Sequence, residues 1–228
     1  MNEEKGIQFG VNYTAIYLHS SATITDENTA STGSGILDIQ GGITLIGKKA
    51  KKNEGKLFVK MNSRHTYGGS NKTAPMFHGL NESGYYVLPA TGYRSYSFRM
   101  IELNWQQSLA KNKVHFVVGK VDPTNYFNFH GLIVPWQHFI GYGSSVSGTV
   151  NWPDQGLGFV GSYRPTEHLY VMGGITDVRG DLFEQGEFFN FGNNFDDGKF
   201  MKLLEVGYVP SFGERYFKKI SITYWHSD

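Results

Sequence analysis

Cysteine is absent from this chain of 228 residues, and neither sign of charge predominates. Without cysteine, a disulfide framework and a thiolate metal site are excluded. The formal net charge of +1 argues against a nucleic-acid partner, because nucleic-acid binding needs a strongly basic face. No apolar run approaches the roughly 18 residues of a membrane-spanning helix, and mean hydropathy is −0.35. A helical membrane protein is therefore excluded.

Motifs for catalysis are also missing. The sequence contains no Gly-x-Ser-x-Gly elbow and no phosphate-binding loop. His130 and His138 do not have a zinc-binding spacing with further ligands. Asp122 and Asp154 could be proposed as the carboxylate pair of a glycosidase, but their positions in a loop do not define a cleft. We therefore expect neither an enzyme nor a cofactor.

Glycine and aromatic residues are abundant. The chain has 29 glycines among 228 residues, a share well above the average of about 7%. Phe, Trp and Tyr together make up 15%. This composition, with low hydropathy, is typical of outer-membrane β-barrels and also of some soluble β-sandwiches. Composition alone leaves both classes open.

Apolar and polar residues alternate with a period of two in the segments 37–45, 57–64, 101–106 and 220–224. This period predicts strands with one apolar and one polar face. The whole chain is predicted to form nine strands, at about 6–18, 35–47, 56–67, 94–109, 113–121, 156–164, 167–176, 199–209 and 216–226.

The connections between these strands alternate in length. Predicted long connections at 19–34, 68–93, 122–155 and 177–198 alternate with short ones at 48–55, 110–112, 165–166 and 210–215. In an up-and-down barrel, successive connections fall at opposite ends, and membrane barrels have long loops at one end. The pattern predicts an all-β, antiparallel, transmembrane barrel. Aromatic residues near strand ends would form the interfacial girdles: Tyr17, Tyr67, Trp105, Tyr163, Tyr170, Tyr208, Tyr224 and Trp225. The alternative is a soluble, lectin-like sandwich whose polar faces meet solvent.

Three segments resemble one family. These are RMIELNWQQSLAKNKVHFVVGKVDPTNYF (99–127), WPDQGLGFVGSYRPTEHLYVMGGITDVRGD (152–181) and KISITYWHSD (219–228). In order and spacing they resemble the carbohydrate-selective porins of the OprB type. The family pattern is a strand ending in Gly-Lys-x-Asp, an aromatic-rich loop, a Pro-x-x-Gly-x-Gly entry to the next strand and a tight turn with proline. The matching residues are Gly119, Lys120, Asp122, Tyr126, Phe127, Pro153, Gly156, Gly158 and Pro165.

The resemblance implies a sixteen-stranded, porin-like barrel in the outer membrane of a Gram-negative bacterium. Such a barrel lets sugars diffuse passively through a constricted, water-filled pore. Chains of that family are about twice as long, so we expect residues 1–228 to form a single barrel domain that is incomplete at its C-terminus. The polar, acidic N-terminus is not a signal peptide. The expected partners are carbohydrates and outer-membrane lipid, no nucleic acid is expected, and assembly of identical copies stays open.

The connection 122–155 is the main candidate for a constriction. Between Asp122 and Asp154 it contains seven aromatic residues and no charged one. Aromatic faces stack on the apolar side of a pyranose ring, so Trp136 and Phe139 are candidates for sugar contact. The competing interpretation is that these aromatics only pack the loop onto the barrel wall.

Charged residues of the polar strand faces are the other candidates. They would hydrogen-bond sugar hydroxyls, or they would only pair with one another and stiffen the wall. In the predicted strand 94–109, the apolar residues change from even-numbered to odd-numbered positions near Met100. This change predicts a β-bulge that shifts the position of Arg99. The candidate residues at the constriction are Arg64, Arg99, Glu102, Lys120, Asp122 and Glu205.

Overall fold

The structure is a computed structural model that describes residues 6–19, 31–47, 53–67, 96–127, 150, 152–178, 180, 198–215 and 218–228. These residues contain nine strands and two single-turn 3-10 helices, at Pro123–Asn125 and Phe212–Glu214. In this part of the chain neither helical turn is long or apolar enough to cross a bilayer. The strands are β1 (Ile7–His19), β2 (Ser31–Ile46), β3 (Gly55–Tyr67), β4 (Tyr96–Leu109), β5 (Val114–Val121), β6 (Gly156–Tyr163), β7 (Leu169–Asp177), β8 (Phe200–Tyr208) and β9 (Ile220–Ser227).

All nine strands belong to one sheet, in the order of the chain. Each strand is antiparallel to the next one, from the pairing of β1 with β2 to that of β8 with β9. The prediction of an all-β, up-and-down arrangement with nine strands is confirmed. A soluble sandwich requires two facing sheets, and the described strands form a single one.

Successive connections lie at opposite ends of the sheet. One end, here the outer end, has the connections 20–30, 68–95, 122–155 and 178–199, and the other, the short-turn end, has 47–54, 110–113, 164–168 and 209–219. Each connection at the outer end is longer than the short turns next to it in the chain. The connection 20–30 is shorter than predicted because Gly33 pairs with Tyr17 and Tyr67 and so extends β2.

The two faces of the sheet differ in polarity. Large apolar side chains of one face, the outer face, are exposed, and examples are Phe9, Val11, Val118, Phe159, Leu204 and Ile222. The opposite, inner face carries buried polar and charged residues, among them Asn62, Glu102, Asn104, Thr176 and Glu205. This is the reverse of a water-soluble protein, and it is the pattern of a membrane barrel with lipid outside and polar groups within.

A bulge in β4 controls where Arg99 lies. Lys60 pairs with Glu102, but the next residue, Met61, pairs with Met100, so one residue of β4 has no partner. A slip of one residue exchanges the faces of all residues beyond it. Arg99 therefore pairs with Asn62 of the inner face, and the predicted bulge is confirmed.

Two of the predicted girdle aromatics lie on the inner face instead. Tyr17, Tyr163 and Tyr208 are exposed on the outer face, as expected. Tyr170 is buried, and a Cβ atom on Gly207 would come within 2.3 Å of its ring. Trp225 packs beside a buried apolar cluster of the inner face. Their assignment to a girdle was wrong, because the strand register places Tyr170 opposite Gly207 and Trp225 opposite the buried Leu203, both on the inner face.

The assignment of faces can be tested with a matched pair of arginine substitutions in the full-length protein. Val118→Arg places a charge on the outer face and should destabilise the protein in lipid vesicles by about 2–4 kcal/mol. Gln106→Arg, on the inner face of β4, should change stability by less than about 1 kcal/mol. Urea titration measures both. Equal losses for the two variants would contradict the assignment.

Candidate pore-lining site

Glu102 is the centre of a polar cluster on the inner face of β4. Its side chain is buried, and its two oxygens accept hydrogen bonds from Nδ2 of Asn104 at 3.2 Å and of Asn125 at 3.0 Å. Lys60 lies opposite Glu102 in the strand register. Asn125 belongs to the Pro123–Asn125 turn. The start of the long connection is therefore hydrogen-bonded to the wall of the sheet.

Asp122 joins the two ends of the connection 122–155. Its Oδ1 accepts hydrogen bonds from the backbone N–H of Thr124 at 2.9 Å and from the Thr124 hydroxyl. Its Oδ2 accepts from Nε2 of Gln155 at 2.8 Å. The first contact caps the 3-10 turn, and the second ties the last residue of the connection to the first. Charge-assisted bonds of this kind are among the stronger ones in proteins.

Phe127 anchors the chain to the inner face just beyond this turn. Its ring is fully buried and packs with Val160, Met201 and Leu203. A Cβ atom on Gly174 would lie 2.8 Å from the ring, so glycine is needed there for the ring to approach β7. The first residues of the connection, 122–127, therefore lie over the inner face.

Glu205 forms a second polar cluster, on β8. It is almost fully buried and accepts hydrogen bonds from the Tyr170 hydroxyl at 2.6 Å, the Thr223 hydroxyl at 2.7 Å and Nζ of Lys219 at 3.1 Å. A buried carboxylate needs such compensation, since burial of an unpaired charge is very costly. Strands β7 and β9 and the last short turn thus converge on one side chain.

The other predicted residues are distributed unevenly. Arg64 pairs with Ile36 of the inner face, and Arg99 pairs with Asn62. Lys120 is buried, but it pairs with Leu103 and Leu157, in register with the outer face. In this register Lys120 has outer-face neighbours, whereas its burial is typical of the inner face, so its role at the constriction stays a prediction. Trp136 and Phe139 lie outside the described residues.

Several residues of these clusters were not predicted. Asn125 and Tyr126 follow Asp122 in a Pro-Thr-Asn-Tyr run, and the Asp-Pro turn signal could have placed them. Burial, followed by the charges of Glu102 and Asp122, raises the pKa of the Tyr126 phenol far above its usual range. Its hydroxyl therefore stays protonated and can donate a hydrogen bond.

Lys219 carries no sequence signal, because only the fold of the last short turn brings it to the inner face.

Metal binding finds no support in this part of the chain. Among the described residues, no three His, Asp or Glu side chains cluster closely enough to hold an ion.

A polar inner face, an apolar outer face and a connection whose first residues, 122–127, lie against the inner face are the geometry of a porin wall. The sequence model of the carbohydrate-selective porin, OprB family, matches residues 60–228. The chain belongs to this porin family. OprB porins are outer-membrane proteins of Gram-negative bacteria, which is where this chain is located. A comparison with curated proteins returned no match.

Solved structures show the same fold. The high-pH structure of Pseudomonas putida OprB superimposes with a TM-score of 0.70 and 12% sequence identity over 98% of this chain. The low-pH structure of that porin gives a TM-score of 0.52 and 14% identity, also over 98%. The chain spans 53% and 56% of those two structures, respectively. It thus corresponds to about half the length of the OprB chains that it resembles.

Removal of the Asp122 carboxylate tests its role at the base of the loop. Asp122→Ala removes the acceptor of three hydrogen bonds, so the full-length protein should lose about 1–3 kcal/mol of stability. Its single-channel conductance should become larger and noisier, because the loop is no longer tied at both ends. Glu167→Ala, which removes an exposed carboxylate from a short turn, is the matched control. Steady, unchanged conductance in the Asp122 variant would contradict the role.

Proposed function

We propose that the full-length protein is an outer-membrane channel through which carbohydrates diffuse passively, without chemical conversion and without a cofactor. The observation that carries this proposal is the contact of Asn125 with Glu102 at 3.0 Å, which holds the start of the 122–155 connection against the polar inner face. Residues 1–228 would form one barrel domain and contribute part of its wall. The apolar outer face would contact outer-membrane lipid.

Within the pore, we assign different roles to the candidate charged residues. Arg64 and Arg99 would form hydrogen bonds with sugar hydroxyls, since both lie at inner-face positions. Glu102, Asp122 and Glu205 would act as positioning residues, because both oxygens of each carboxylate already accept hydrogen bonds from the protein. Lys120 would stabilise the wall beside them. Such weak, distributed contacts suit passage, because a solute that is held tightly does not leave.

Trp136 and Phe139 would supply the stacking surface of the constriction. Both residues follow the anchored start of the connection, and its ends are tied together through Asp122 and Gln155. An aromatic face matches the apolar face of a pyranose ring, while nearby charged groups match its hydroxyls.

Conductance in planar bilayers tests the channel function. The full-length protein should give steady ion currents that fall as glucose is added, because a sugar in the constriction excludes ions. A sugar alcohol chain of similar size, such as sorbitol, should block less, since it offers no flat ring face for stacking. Ion currents that are insensitive to every sugar would leave a channel but contradict carbohydrate passage.

The stacking role can be tested separately. Trp136→Ala and Phe139→Ala should each raise the half-blocking glucose concentration by roughly fivefold, given that an aromatic stack contributes about 1 kcal/mol. Phe159→Ala, which removes an exposed ring from the outer face, controls for general loss of aromatic packing. If all three variants are blocked like the unaltered protein, the loop aromatics only pack against the wall.

A further inference from the structure

The inner face forms an open cavity of about 600 Å³ between the start of the 122–155 connection and the short-turn end. Asn125 and Tyr126 line it on the side of the connection, and Arg164, Phe212 and Lys219 line it on the side of the short turns. The volume is in the range of about 300–1,000 Å³ that is typical of small-molecule sites. The cavity lies in series with the Glu102 cluster, toward the short-turn end.

An aromatic and a cationic side chain are held together at the short-turn side of this cavity. The guanidinium carbon of Arg164 lies 4.6 Å from the centroid of the Phe212 ring, a distance typical of cation–π contacts. The ring of Tyr170 meets Phe212 edge-on, with 6.3 Å between centroids. These contacts hold the Phe212–Glu214 turn over the inner face, although it lies outside the strands.

The charge of Arg164 is not matched by a carboxylate among the described residues. Its guanidinium donates to the carbonyl oxygen of Asn112 and lies 3.5 Å from Nε2 of His115. A carbonyl oxygen and an imidazole ring carry no negative charge, so neither partner neutralises the guanidinium. A guanidinium in this state offers remaining N–H groups to a ligand oxygen.

The charged groups that line the cavity are positive on balance. Glu205 is its buried carboxylate, and both of its oxygens are occupied by donors from the protein. The charged groups of the lining are the cations Arg164, Arg215 and Lys219 and the carboxylates Glu54 and Glu205. A complementary ligand is therefore rich in acceptor oxygens and carries negative charge.

We propose that this cavity is a second solute subsite, in series with the constriction, that binds a monosaccharide bearing a carboxylate, such as a uronic acid. Arg164 binds the carboxylate with two parallel N–H···O bonds, the arrangement that its planar fork favours. The apolar side of the sugar ring contacts Phe212 and Tyr170. The proposal rests on the channel function. It adds acidic sugars as a class of solute, which the polar cluster around Glu102 does not select.

Glucuronate and glucose form a matched pair of probes, since they differ by one carboxylate. With the full-length protein in planar bilayers at constant ionic strength, glucuronate should block the current at a lower concentration than glucose. Arg164→Gln should raise the half-blocking concentration of glucuronate by roughly tenfold, the loss expected for a charge-assisted pair. The half-blocking concentration of glucose should stay the same within about twofold, well below the effect of one such pair.

Lys218→Gln is the matched control, because Lys218 pairs with Glu214 on the exposed surface and does not line the cavity. It should leave both sugars unaffected. If Arg164→Gln yields no channels, Arg164→Lys keeps the charge without the fork and should still weaken the block by glucuronate. An unchanged block by glucuronate in the Arg164 variant that forms channels would overturn the subsite. Loss of block by glucose in the unaltered protein would instead overturn the channel function.

Discussion

A strand of an antiparallel sheet directs successive side chains to opposite faces, and the register between strands carries this alternation across the whole sheet. In a bilayer the constraint is stricter, since every backbone N–H and C=O must find a partner within the protein. The nine strands here satisfy it with one continuous ladder from β1 to β9. The positions of the apolar and polar residues depend on that ladder, and the register shift between Lys60 and Met61 shows its effect by returning Arg99 to the inner face.

On the inner face, the carboxylates of Glu102 and Glu205 are almost completely shielded from water and therefore need partners within the protein. The structure meets this need with local pairing. Glu205 collects three donors, Glu102 accepts from two amides, and Asp122 binds both ends of the long connection. The same bonds that compensate these charges also position the loop. Polar satisfaction and pore geometry thus arise from one set of contacts.

The sequence predicted the strands well because alternation persists along them, and β8 shows this most clearly with buried and exposed residues in strict turn. The inner-face positions of Arg64 and Glu102 followed from the same period. Tyr170 and Trp225 could not be placed in this way, since an aromatic near a strand end fits a lipid interface and a packed interior equally well. Lys219 and Phe212 reach the inner face only through the fold of a turn, and turns carry no periodic signal.

The central claim is that alternate residues of each strand face a water-filled pore. Because the chain has no cysteine, single cysteines at positions 57–60 of β3 test it directly with a charged, water-soluble thiol reagent. In the full-length protein in membranes, cysteines at 58 and 60 should react and lower the conductance, while those at 57 and 59 should not. Equal reaction at all four positions, or reaction at 57 and 59 alone, would contradict the account.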